Sequence, residues 1–312
     1  MKLSDMKLNE NAAGVYIISA TPFTESGAID YASADQLVDF YLERGVTGMT
    51  ILGMMGEAPK LSSEETLLFI QAMLKRVAGR VPVIVGVSNA GIANIAEVSQ
   101  QAMDEGAAGV MIAPPRGLAT DESLYNYFAH CFEALGPEIP VCYQDFPLAT
   151  GVSLSADLFI RMVEDFDQLV MLKHEDWPGL NKLSKVRESN GRRVSILCGN
   201  GGIFLPEEMA RGADGAMTGF AFPEMLVDVV RLCNEGSVDS ASDLFDAYLP
   251  LIRFEQQPGA GLAIRKEILH RRGALACNAT RLPGPRLSKN DHAEITRLMT
   301  RLDQRLNELK RG

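Results

Sequence analysis

The sequence predicts an α/β protein, a (β/α)8 TIM barrel with a C-terminal helical extension, and three observations carry that expectation. Short apolar runs alternate with amphipathic stretches from Val15 to about Phe222, as parallel strands buried on both faces alternate with crossover helices. Eight such units follow one another without the long irregular loops of a two-domain chain, and eight closes a parallel sheet on itself. A repeat also recurs: Arg44-Gly45-Val46-Thr47-Gly48-Met49, Glu105-Gly106-Ala107-Ala108-Gly109-Val110 and Arg211-Gly212-Ala213-Asp214-Gly215-Ala216. In each, the first glycine is expected to end a helix in a left-handed cap and the second to start the next strand. An open doubly wound sheet is the competing architecture, because strand order is not written in a sequence. The turn after the first strand lacks a G-x-G-x-x-G fingerprint, which counts against it.

Taken in order, Val15–Ala20 reads as the first strand, and Asp30 caps a helix carrying Leu37, Val38, Tyr41 and Leu42 on one face. Met49–Leu52 is the second strand, and Ser62 with Glu65 forms a capping box that opens a helix through Val77. Strands at Val81–Val87 and Val110–Ala113 flank a helix at Ile92–Glu105, and a helix at Asp121–Leu135 leads to a fifth strand at Val141–Tyr143. Ser155 caps Ala156–Glu164 ahead of the sixth strand, Leu169–Lys173. Gly179–Ser189, Val194–Cys198, Pro206–Arg211 and Ala216–Thr218 complete the alternation as helix, strand, helix and eighth strand. Residues 1–222 are thus assigned to the barrel. Residues 223–312, with helical patterns at Met225–Asn234, Ser240–Phe254, Leu262–Arg271 and Ser288–Leu309, form the extension, packed on the barrel or on a neighbouring subunit. In its last helix Ile295, Leu298, Met299, Leu302, Leu306 and Leu309 form an apolar stripe, from which a homotetramer or homodimer is expected.

Composition narrows the function. Hydrophobic residues are 46% and charged residues 22% of the 312, with 30 basic against 40 acidic side chains and a net charge of −10. An acidic chain disfavours nucleic acid and anionic membrane as partners. No apolar run approaches the roughly 18 residues of a membrane span, and Met1–Asn11 lacks the apolar centre of a signal peptide. Cys131, Cys142, Cys198, Cys233 and Cys277 are odd in number and never spaced as C-x-x-C, which suits a reducing compartment, and the cytoplasm is expected.

A barrel of this kind places its chemistry at the C-terminal ends of the strands. Lys173 is the one lysine there, at the end of an apolar run. In an apolar pocket a lysine loses solvation of its charged form and becomes a nucleophile for a carbonyl carbon. The competing reading is an ion pair with Glu175 or Asp176. The cluster His174-Glu175-Asp176 is read as a solvated strand end rather than a metal site, and no metal or cofactor is expected.

Thr21-Pro22-Phe23 after strand one, Gly53-Met54-Met55-Gly56-Glu57 after strand two, Tyr143 after strand five and Lys173 after strand six form an ordered set. It resembles the dihydrodipicolinate synthase / N-acetylneuraminate lyase family of Schiff-base aldolases, from about Val15 to the glycine-rich loop after strand eight. The resemblance implies a metal-independent lyase or aldolase whose small-molecule substrate is pyruvate or a related 2-oxo acid. It implies an imine at Lys173, proton transfer by Tyr143, and the substrate carboxylate on the backbone amides of Met54 and Met55. Consecutive N–H groups at a glycine turn ahead of a helix suit that last role whatever the side chains. Thr21, Gly53, Gly56, Gly199, Gly219 and Arg116 complete the expected substrate-binding set.

The chain departs from the family pattern at telling places. Met54 and Met55 stand where synthases carry two threonines, Pro114-Pro115-Arg116-Gly117 replaces a tyrosine pair, and Gln144–Gly151 runs one residue longer than usual without its arginine. Loss of that arginine argues against the lysine-pathway synthase reaction, with Arg116 as a possible substitute. Methionines soften the pocket wall and make it less polar. Two alternatives stay open. Gly199-Asn200-Gly201-Gly202 and Gly219-Phe220 follow strands seven and eight, where barrels often bind phosphate, which suits a phosphosugar lyase or isomerase. A catalytically inactive ligand-binding homologue is the other.

Overall fold

The computed structural model describes residues 6–311, so Met1–Asp5 of the N-terminal segment lie outside the described residues. Eight parallel strands close into a barrel in sequence order, β1 to β8, with β8 pairing back onto β1. They are β1 Gly14–Ile18, β2 Gly48–Ile51, β3 Val83–Gly86, β4 Gly109–Ile112, β5 Val141–Asp145, β6 Leu169–His174, β7 Ser195–Cys198 and β8 Gly215–Ala216. Closure removes the open-sheet alternative. The three repeats behave as expected: Gly45, Gly106 and Gly212 adopt positive φ (75°, 97° and 89°), and Gly48, Gly109 and Gly215 each open a strand.

The crossover helices are α1 Tyr31–Leu42, α2 Ser63–Val77, α3 Ile92–Asp104, α4 Asp121–Leu135, the single turn α5 Pro147–Thr150, α6 Ala156–Asp165, α7 Leu180–Glu188 and α8 Leu205–Ala210. Asp30 and Ser155 cap α1 and α6, accepting from Ser33 N and Leu158 N, and Ser62 with Glu65 closes the capping box of α2. Each cap satisfies an amide that the first turn leaves without an intrahelical partner.

Two apolar layers follow from the two-residue period of the strands. One set of side chains, including Ile17, Val85, Val110 and Leu172, packs outward against the helices. The other fills the barrel with Tyr16, Ile18, Ile84, Met111, Cys142, Met171, Leu197 and Met217, and Leu8 plugs the N-terminal end.

The boundary expected at residue 222 falls at the start of α9, Pro223–Asn234. This helix packs on β1, β8 and α8, as the eighth helix of the ring. Beyond it lie α10 Val238–Glu255, α11 Gly261–Arg271 and α12 Lys289–Leu309. The stripe of α12 turns onto α10 of its own chain, burying Ile295, Leu298 and Leu302. Most of the stripe is therefore used within the chain, with Met299 and Leu306 half-buried and Leu309 exposed at its C-terminal end.

Candidate active site

Lys173 and Gln144 are Cα partners in the ladder between β6 and β5, so their side chains project to the same face. That face is the barrel interior, because Cys142, two residues before Gln144, belongs to the inner layer. Lys173 is only 4% exposed, and its Nζ lies 3.2 Å from Glu175 Oε2. The same carboxylate oxygen accepts a hydrogen bond from Gln144 Nε2 at 2.8 Å, and its other oxygen accepts from the Asn200 amide at 3.0 Å. Gly199 permits this arrangement, since a Cβ there would stand 2.2 Å from Glu175 Cγ. The sequence reading of Lys173 as partner of an acid is thus correct for Glu175, while Asp176 pairs with Lys182 instead, at 2.6 Å.

These groups line a cavity of about 70 Å³ at the C-terminal mouth of the barrel, together with Met54, Met55, Thr218 and Gly219. A larger cavity of about 570 Å³ lies between the Thr24–Gly27 turn and residues 277–287, but none of the strand-end candidates lines it.

Tyr143 is where the structure corrects the sequence expectation. Its neighbours Cys142 and Gln144 point inward, so a two-residue period sends Tyr143 outward. Its ring packs at 4.7 Å centroid separation on Phe128 of α4 and at 6.3 Å on Phe159 of α6. The hydroxyl is buried without a hydrogen-bond partner, and burial raises its pKa well above the ordinary value. It has no access to the cavity. Gln144 takes the inward place, and the extra residue noted in Gln144–Gly151 was the signal: counting back from Pro147 instead of forward to Tyr143 finds it.

Of the other candidates, Met54, Met55 and Gly219 line the cavity and Arg116 does not. Arg116 is exposed and donates to the Ala149 carbonyl at 3.3 Å. Thr21 is buried behind the Gly53–Glu57 loop, its Oγ1 donating to the Gly56 carbonyl at 2.6 Å. Residues 54–56 form one 3-10 turn, so the amides of Met54 and Met55 open it without a partner inside it. Glu57 then takes a left-handed φ of 55° and is buried among cations. Its Oε1 meets Lys266 Nζ at 2.6 Å, and its Oε2 meets Lys60 Nζ at 2.8 Å and the Arg281 amide at 3.0 Å. Lys266, fully buried, also donates to the Thr21 carbonyl at 2.8 Å. Burial lowers its pKa, with Glu57 opposing.

The loops after β7 and β8 are filled by the C-terminal extension. A Cβ on Gly201 would stand 1.9 Å from Gln256 Nε2, and one on Gly219 would stand 2.4 Å from Arg265 Nη1. The space these glycines leave is therefore occupied by two side chains, which removes the open phosphate cradle that the phosphosugar alternative required. Gln256 and Arg265 both line the Lys173 cavity. Nothing in their sequence spacing points there, because about eighty and about ninety residues separate them from Lys173 and only the docking of α10 and α11 delivers them.

Among the described residues no cluster of three or more His, Cys, Asp or Glu side chains has the geometry of a metal site, and no helix is long and apolar enough to cross a membrane.

The Dihydrodipicolinate synthetase family model matches residues 11–302. L-2-keto-3-deoxyarabonate dehydratase of Azospirillum brasilense is 32% identical over 295 residues, covering 93% of this chain and 94% of that one. The 4-hydroxy-tetrahydrodipicolinate synthase of Parabacteroides distasonis is 27% identical over 77% of this chain and 81% of its own length. Among solved structures, dihydrodipicolinate synthase from Rhodopseudomonas palustris superposes with a TM-score of 0.93 at 49% identity, covering 95% of this chain and 99% of that one. By this match over nearly its whole length, the chain belongs to the dihydrodipicolinate synthetase family and is a lyase.

Proposed function

We propose that the chain dehydrates a 2-oxo-3-deoxy sugar acid through an imine on Lys173, with Glu175 moving the protons. The observation that carries this reading is the contact between Lys173 Nζ and Glu175 Oε2 at 3.2 Å inside the cavity. Tyr143, the expected proton carrier, faces away, and the glutamine in its place cannot exchange a proton near neutral pH.

The steps follow from that placement. Glu175 takes a proton from the Lys173 ammonium, the free amine adds to the C2 carbonyl of the substrate, and the resulting carbinolamine hydroxyl takes that proton back from Glu175 and leaves as one water, giving the protonated imine and an ionised Glu175. The C1 carboxylate is held by the Met54 and Met55 amides. The protonated imine acts as an electron sink, so a proton leaves C3 to Glu175 and the C3–H electrons become an enamine. The enamine expels the C4 hydroxyl, which takes that proton and leaves as a second water. Hydrolysis uses one water, frees Lys173 and releases the dehydrated 2-oxo acid, for a net loss of one water. A carboxylate fixed by Gln144 and the Asn200 amide is suited to take and return the same proton. The dehydratase of Azospirillum brasilense supports this choice of reaction.

Two parallel assays test it. One supplies a 2-oxo-3-deoxy pentonate alone, and the other supplies pyruvate with the aldehyde partner of the lysine-pathway condensation. Dehydration with no condensation is expected, and the reverse overturns the reading. Borohydride added with pyruvate is expected to leave a mass adduct on Lys173, and an unmodified Lys173 would refute the imine.

A homotetramer or homodimer and a cytoplasmic setting belong to the same proposal. The five cysteines are all free thiols, and the exposed apolar side chains Leu148, Trp177 and Leu282 offer surface for a second copy. Sedimentation velocity gives the assembly directly, a monomer at micromolar concentration being the outcome that removes it.

A further inference from the structure

Arg265 sits on α11, outside the strand-and-loop framework that supplies Lys173, yet it is buried and lines the same cavity. Its Nε donates to Glu255 Oε2 at 2.9 Å, and both side chains are almost fully enclosed, at 4% and 0% exposure. Glu255 is anchored in turn by the Ala221 amide at 3.4 Å. The two Nη groups of Arg265 donate no hydrogen bond to any described residue, and Gly219 lies bare beneath Nη1. A guanidinium offers five donors in a fixed fork. Here one is used on the protein, and the side chain lines the pocket with its other donors unclaimed by any described residue.

The balance of charge says what those donors take. Lys173 is paired with Glu175, and Arg265 with Glu255, so the side chains at the cavity sum to zero before substrate enters. The C1 carboxylate is met by the loop amides. A second carboxylate at the far end of the substrate would enter an enclosed pocket whose remaining cation is already neutralised, and an uncompensated charge there is costly. A hydroxyl asks only for a donor and an acceptor, and Arg265 with the Gln256 amide provides them.

Resting on the imine reading above, we propose that Arg265, neutralised by Glu255, is the residue that recognises the distal end of the substrate, and that it selects an uncharged, hydroxyl-bearing end over a second carboxylate. The cavity is a sorting device for 2-oxo acids with one negative charge.

The test compares two five-carbon probes, a 2-oxo-3-deoxy pentonate and 2-oxoglutarate, with tail-less pyruvate as reference. Turnover, borohydride trapping and calorimetric binding are measured on the wild-type protein, Arg265→Met and Glu255→Gln. In the wild-type protein the hydroxylated acid is expected to bind at least about tenfold more tightly than 2-oxoglutarate. Arg265→Met is expected to raise KM for the hydroxylated acid by about tenfold or more, with kcat changed far less, while half-saturation by pyruvate in the trapping assay moves by less than about threefold. Glu255→Gln leaves the guanidinium charge unbalanced and is expected to tighten 2-oxoglutarate about tenfold. Equal losses for pyruvate and the hydroxylated acid in Arg265→Met would show a merely structural arginine and overturn the proposal. So would a Glu255→Gln protein that still rejects the dicarboxylate. If Arg265→Met does not fold, Arg265→Lys is used and must weaken the hydroxylated acid selectively. Calorimetry needs no imine, so failure to trap any adduct on the wild-type protein refutes the imine reading while the comparison of ligands still decides the role of Arg265.

Discussion

Strands β5 and β6 present two faces, and each carries ionisable groups one residue apart from those on the other. On the inner face stand Gln144 and Lys173, with Glu175 beside them at the mouth of a cavity. On the outer face stand Tyr143, Asp145 and His174, sealed under α4, α6, α7 and α8. Asp145 Oδ2 accepts from Lys182 at 2.7 Å while its Oδ1 is buried without a partner. Burial pushes the Asp145 pKa up to about 6, with Lys182 pulling the other way. Burial works against charge on His174 too, but Glu208, whose carboxylate approaches Nδ1 to 3.1 Å without hydrogen-bond alignment, overcomes it and raises the pKa. The perturbed groups thus lie on the outer face. Only the inner one has room for a second molecule. A perturbed group marks a functional candidate only when it opens on space that substrate can enter.

That contrast is open to measurement, beginning with the largest effect. Lys173→Ala should lower turnover by about 10⁴-fold or more, as expected when a covalent nucleophile is removed, with steady-state assay and adduct mass as readouts. Glu175→Gln should lower kcat by about 10²–10³-fold, and pyruvate should still leave a borohydride adduct on Lys173 but form it more slowly than in the wild-type protein, because the lysine remains while the group that takes its proton is gone.

On the outer face the effect should be on stability. Below pH 3.8 Asp145 is protonated in folded and unfolded chains alike. As pH rises toward 6 the unfolded chain gives up that proton first, so the folded state loses stability across this window, and the loss is complete above it. A displacement from 3.8 to about 6 corresponds to about 3 kcal/mol. Asp145→Asn should therefore gain on the wild-type protein by up to that amount between pH 4 and 6.5, read as the difference in denaturant midpoints. A gain that grows as pH falls would reverse the assignment. Smallest is Tyr143→Phe. It removes a buried hydroxyl that has no partner, so stability should hold or rise, within about 1 kcal/mol, and kcat should stay within about twofold. A hundredfold loss of kcat would place Tyr143 in the cavity after all.

Much of this was legible along the chain. Strand-end lysine, glycine turn and left-handed glycines are local signals: each depends on the period of a strand, the φ of one residue or the amides of a single turn, so the place of Lys173 at the end of β6, the turn within Gly53–Glu57 and the left-handed Gly45 were legible. Tyr143 failed because the resemblance was matched by residue type, and one inserted residue moves a side chain to the other face of a sheet. Counting back from Pro147 to Gln144 corrects it along the chain alone. Arg265, Gln256 and Lys266 had no such route, since their place depends on how α10 and α11 dock on the barrel mouth.

By itself, then, the sequence determined the eightfold alternation of strand and helix, the lysine at the end of β6 and the glycine turn after β2, because periodicity and turn chemistry act over a few residues. Tertiary structure alone decided which neighbours that lysine meets: Glu175 and Gln144 inside, Tyr143 outside, and an arginine brought from the C-terminal extension. Closing the barrel and packing the extension bring together side chains far apart in the chain, and the charge balance of the cavity exists only once they meet.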